Sequence, residues 1–95
     1  MKTIVIKHGE ERREDLSGMK CFWLSNLTPK VKGDELIPEV RQYTKPTYPS
    51  EFNSSEKIMV RYNYDGLMGS FTWDPETQTL AGKGYGWETL TLIFE

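Results

Sequence analysis

A chain of 95 residues with 12 Lys+Arg against 14 Asp+Glu, formal net charge −2, fits one domain and carries no basic excess to attract nucleic acid. The interspersed cations also exclude an acidic mimic of a nucleic-acid backbone. At 37% hydrophobic and 13% aromatic residues the chain is too apolar to be disordered, and its aromatics can serve a thin core or an interface.

The single cysteine, Cys21, can form neither an internal disulfide nor a cysteine-based metal site. It lies in the apolar run Met19 to Leu24 and reads as a small buried hydrophobe. The N-terminal run Thr3–Lys7 is too short for a signal peptide or a membrane span, so a cytoplasmic protein with no membrane contact is expected. On that reading the glycosylation patterns at Asn26 and Asn53 have no consequence.

In chain order, Thr3–Lys7 is β-branched and apolar and predicts a strand, which Gly9 ends. Glu10–Ser17 is nearly all charge. Leu16 alone cannot anchor an amphipathic face, so a solvated loop or short helix is expected. Met19–Leu24 predicts a second strand. Asp34 can cap a short helix over about 35–43, with Leu36, Val40 and Tyr43 on one side and Pro38 tolerated only in the first turn. Thr44–Glu56, with two prolines, reads as a long irregular connection in which Tyr48 and Phe52 either pin the loop to the core or serve a binding loop.

From Lys57 on, alternation sets a register. Asp65-Gly66 is a preferred two-residue hairpin turn, which opposes Tyr64 to Leu67, Tyr62 to Gly69, Val60 to Phe71 and Ile58 to Trp73. Asp74-Pro75 opens a second turn that opposes Asp74 to Thr79, Trp73 to Leu80 and Phe71 to Gly82. A third, three-residue turn through Gly86 places Leu90, Leu92 and Phe94 on the core face, because a one-residue slip would flip them all outward. The expected fold is therefore α+β. It is a single domain over 1–95 with a C-terminal four-stranded antiparallel meander (57–64, 67–74, 79–83, 87–94), strands at 3–7 and 19–24, and one helix.

The chemistry offers little. Gly82-Lys83-Gly84-Tyr85-Gly86 is followed by a strand, whereas a phosphate loop needs a helix N-terminus there. His8 with Glu10 and Glu11 falls short of a metal site. No nucleophile–base pair stands out, so no catalytic residue, metal or cofactor is expected. What remains is the outer face of the meander, where Arg61, Ser70, Lys83 and Trp87 form one row and Met68 and Tyr85 lie in the next. Trp, Tyr, Arg and Met are typical interface anchors. The favoured reading is a non-catalytic interaction module, of the general build of a small inhibitor, antitoxin, immunity or phage counter-defence protein, that blocks a partner protein sterically through Arg61, Met68, Lys83, Tyr85, Trp87, Tyr48 and Phe52. The alternatives are the 35–43 helix or a homodimer partner covering that face, single-stranded nucleic acid or a nucleotide stacked on it, and a small ribonuclease-type toxin.

Overall fold

The computed structural model describes residues 1–29, 49–64, 67–85 and 87–95. They form eight strands: β1 (Lys2–Lys7), β2 (Glu11–Arg13), β3 (Cys21–Pro29), β4 (Ser50–Glu51), β5 (Ile58–Tyr64), β6 (Leu67–Asp74), β7 (Thr79–Tyr85) and β8 (Trp87–Phe94). Two four-stranded sheets result, one ordered β1-β8-β3-β4 and the other β2-β7-β6-β5, with every pairing antiparallel.

The fold is thus all-β, which overturns the α+β expectation: no helix occurs among the described residues. The helix expected at 35–43 lies outside them. The four-stranded meander is also corrected. Strands β5, β6 and β7 form one, in the register the alternation predicts. Strand β8 does not continue it. It crosses to the other sheet and inserts between β1 and β3, pairing Ile4 with Leu92, Ile6 with Leu90, and Phe22 with Phe94. The physical reason is burial. Leu90, Leu92 and Phe94 need apolar cover, and β1 and β3 carry it, so all three reach 0% exposure by joining those strands.

Segment 10–17 departs from expectation as well. Glu11–Arg13 forms the short edge strand β2 against β7, and Leu16 is fully buried. Between β1 and β2 the chain turns at Gly9, whose φ of +80° is a left-handed conformation suited to glycine. Gly9 donates its N–H to the Gly82 carbonyl at 2.8 Å, and Gly82 donates to the Glu10 carbonyl at 3.0 Å. The ladder thus passes round a corner, with β1–β2 running beside β8–β7 across both sheets.

The core lies between the two inner faces. Ile4, Ile6, Phe22, Leu24, Leu27, Leu90, Leu92 and Phe94 come from one sheet, and Phe71, Trp73 and Leu80 from the other. Aromatic edges bridge the layers: Phe22 meets Phe71 at 5.5 Å between centroids and 90° between planes, the T-shaped arrangement ring quadrupoles favour. Phe71 opposes Gly82, and Tyr62, stacked on Phe71 at 6.3 Å, opposes Gly69, so each ring has a glycine across the ladder. No described helix is long and apolar enough to cross a membrane.

Candidate functional site

Alternation along β5, β6 and β7 turns Ile58, Val60, Tyr62, Phe71, Trp73 and Leu80 inward, and the residues between them outward. The outward rows follow from the register. Met59 pairs with Thr72 and Thr72 with Ala81; Arg61 pairs with Ser70 and Ser70 with Lys83; Asn63 pairs with Met68 and Met68 with Tyr85. The Ser70 hydroxyl donates to the Lys83 carbonyl at 3.0 Å and ties the middle row together. Met59 is 58% exposed and Met68 51%. Arg61 and Lys83 are exposed too. A shallow groove of about 460 Å³ runs over this face, lined by Met59, Arg61, Asn63, Met68, Ser70 and Lys83.

A second groove of about 370 Å³ adjoins it at the β2 margin, where His8, Glu10 and Glu11 come near Lys83 and Ala81. Glu11 pairs with Ala81 and therefore belongs to the outer face. Segment 10–17, expected as a solvated loop or short helix, thus brings carboxylates to this margin. Lys83 lies between the exposed methionines and this acidic margin, while Arg61 stands on β5 beside Met59. Among the described residues no three His, Cys, Asp or Glu side chains gather as a metal site would require.

Arg61, Met68 and Lys83 are brought together as the alternation indicated. Tyr85 follows in backbone position, opposite Met68, although its side chain lies outside the described part of the structure. Trp87 does not join the row: its backbone opposes Pro29 in the other sheet, and its side chain also lies outside the described part. Tyr48 lies outside the described residues. Phe52 is placed in the core at 6% exposure, edge-on to Phe94 at 5.2 Å, with its N–H bonded to the Lys20 carbonyl at 2.9 Å. Of its two readings, the structure gives Phe52 the one that pins the loop. The buried Trp73 reinforces that pin by donating its indole N–H to the Ser54 carbonyl at 3.0 Å.

No family model matches this chain, and no curated protein and no solved structure matches it either. The site is therefore read from its own geometry.

The opposite outer face, on β1-β8-β3, was not anticipated. Its central row aligns Thr3, Ile93 and Trp23, and the next begins with Val5, 47% exposed, opposite Thr91. Trp23 and Ile93 are half-buried. The signal was present in the β3 alternation, where Phe22 and Leu24 bury and Trp23 between them must point the other way.

The charged groups of segment 10–17 do structural work along β1. Glu14, with only 10% of its side chain exposed, receives Lys2 at 2.9 Å and Arg12 at 3.0 Å. Arg12 also donates to the Val5 carbonyl at 3.0 Å, and Lys2 to the Asp15 carbonyl at 3.2 Å. The Arg12 bond engages the outer edge of β1, and the Lys2 contacts tie the start of β1 to Glu14 and Asp15. The Ser17 hydroxyl and N–H both donate to the Asp15 carboxylate, at 2.6 and 3.1 Å, and hold its pKa below the ordinary carboxylate value.

Proposed function

We propose that this chain is a non-catalytic protein-binding module that acts by covering a working surface of another protein with the outer face of β2-β7-β6-β5. The observation that carries the reading is the pair of exposed methionines flanking Arg61 on a hydrogen-bonded sheet. Soluble domains keep such residues scattered. Two flexible thioethers and a guanidinium lining one groove make an adaptable apolar contact with a charged anchor. The support is rigid: β6 is paired on both sides along its length, so the face is presented without an ordering penalty on binding. Steric inhibition needs no more than that. An inhibitor, antitoxin, immunity or counter-defence role would use the face in this way.

The acidic margin at Glu10 and Glu11 favours a protein over a nucleic acid, because a phosphate backbone crossing the groove from Arg61 past Lys83 would meet carboxylates. The test is comparative capture in the native host. Wild-type chain, a Met68→Ala/Arg61→Ala variant and a Val5→Thr control on the opposite face are each tagged, and bound proteins are quantified. The expected result is one partner whose recovery falls at least about tenfold with the double variant and stays level with the control. Equal recovery of every bound protein by all three, with the variant folded, would refute the proposal. Binding to mixed oligonucleotides that falls steeply with salt would replace it by the nucleic-acid reading.

A further inference from the structure

Of the four sheet edges, three are short or engaged. The outer edge of β1 is engaged by Arg12, which bonds the Val5 carbonyl, β2 has 3 residues and β4 has 2. The fourth, β5, offers 7 residues, and among the described residues no strand pairs with its outer side. The core is also least finished there. Among the described residues, the partly buried hydrophobic ones at its rim are Ile58, Val60 and Tyr62, all on β5, and Met19.

The hydrogen-bonding parity of this edge follows from the opposite side of the sheet. Gly82 donates to the Glu10 carbonyl and Glu14 to the Gln78 carbonyl, so the even-numbered residues of β7 bond toward β2. Alternation turns the odd-numbered residues of β7 to β6 and those of β6 to β5. The N–H and C=O groups of Met59 and Arg61 therefore point off the edge. Exposed edges of this kind recruit strands unless they are blocked, and Ile58–Tyr64 holds no proline and no inward charge, its one charge being the outward Arg61.

We propose that β5 pairs with β5 of a second copy of this chain, antiparallel about a two-fold axis at Val60. Self-complementarity selects the occupant and the register. Centred on Val60, Met59 opposes the second copy's Arg61, Lys57 opposes its Asn63, and on the inner face Val60 meets Val60 and Ile58 meets Tyr62. Centred on Arg61, the two guanidinium groups would oppose each other. Centred on Met59, Lys57 would face the second copy's Arg61. Like charges in opposed positions destabilise a ladder, so of the three registers that pair most of β5 the Val60 one avoids a clash of charge. The product is one continuous sheet of eight strands, and the two outer faces lie on the same side of it. The inference does not depend on the proposed partner-binding role, because dimerisation is read on the isolated chain.

Sedimentation equilibrium of the full chain over a wide concentration range is expected to show a reversible dimer. In a Cys21→Ser background, Val60→Cys is expected to form an intermolecular disulfide under mild oxidation, because Cα atoms opposed in a non-hydrogen-bonded antiparallel pair lie about 4.5 Å apart. Met59→Glu places a carboxylate opposite each Arg61 and should tighten the dimer by about twofold to thirtyfold, whereas Met59→Lys should loosen it by a similar factor. Met59→Pro removes an outward N–H and no hydrogen bond to β6, and should leave a folded monomer. A wild-type monomer at millimolar concentration overturns the proposal, including the case in which the edge takes a strand from a different protein. A dimer that Met59→Pro does not disturb overturns it too. Self-crosslinking of Arg61→Cys in preference to Val60→Cys overturns the register.

Discussion

Leu16 tests the departure of segment 10–17 from a solvated loop. It lies two residues beyond Glu14, in a stretch that is otherwise charged or small, yet it is 0% exposed and belongs to the core cluster. Leu16→Ala removes three buried carbons. At about 0.8 kcal/mol each the transfer loss is about 2.4 kcal/mol, and incomplete collapse of the cavity adds to it. A surface-lying segment can settle partway into the gap, which sets the expectation at about 3 kcal/mol. With about 2.1 cal/mol/K of unfolding entropy per residue, the melting temperature should fall by about 15 °C. Were the segment solvated, the loss would stay within about 0.5 kcal/mol. Urea unfolding followed by tryptophan fluorescence separates these values, with an unchanged m-value showing that the denatured state is unaffected. A loss under about 1 kcal/mol would refute the placement of Leu16 and, with it, the docking of β2.

Phe52→Ala should destabilise by about 3–5 kcal/mol in the same assay, since it empties a ring from between Phe22, Trp73 and Phe94; a near-neutral result would return Phe52 to the surface. Gln78 holds a φ of +52° in the turn between β6 and β7, so Gln78→Gly should raise stability by about 0.5 kcal/mol, and a loss would show that its side chain matters more than its backbone. Ser17→Ala removes the hydroxyl that donates to Asp15, and the Asp15 pKa, followed by NMR titration, should rise toward the ordinary carboxylate value. Because the folded-state pKa of Asp15 is depressed, its contribution to stability is present above the unfolded value and is lost as pH falls through the folded one; the variant should flatten that part of the acid limb, and an unaltered limb would contradict the assignment.

The register of β5, β6 and β7 was legible because it is local. A two-residue connection and a proline turn fix neighbours in sequence, and alternation does the rest. Asp74 bonds forward to the Glu76 N–H at 3.0 Å, as the composition of that turn indicated. Placement of β8 was not legible, because it depends on which distant strands need a neighbour. Burial correctly put Leu90, Leu92 and Phe94 inside, but the cover that draws them to β1 and β3 is distant in sequence, and nothing within Gly84–Trp87 points to it. The result misplaced Trp87 while leaving the inner face right. Segment 10–17 failed for a related reason. Three charged residues give no apolar alternation, and β2 exists because Glu11, Arg12 and Arg13 lie against an already formed β7, an edge strand made by its partner rather than by its own propensity.

Where the corner falls decides where the molecule is left open. The β1–β2 and β8–β7 pair bends through both sheets at Gly9, so that margin of the sandwich is closed by continuous backbone and by the Lys2–Glu14–Arg12 cluster. The opposite margin of the second sheet is β5, and the inferred contacts converge on it: Met59 and Arg61 present side chains to the outer face and backbone groups to the edge. Face and edge are therefore separable by substitution on neighbouring residues. Met68 sits one strand in and can affect only a partner on the face, whereas Val60 points inward at the rim and can affect only pairing at the edge. If both contacts form, two faces are joined on one side of a single sheet, and a partner that spans them binds with the advantage of a second, intramolecular contact. Binding that weakens with Met68→Ala in monomer and dimer alike, but with Val60→Lys, an inward charge at the rim, only as far as the dimer is lost, would mark the face as the contact and the edge as its multiplier.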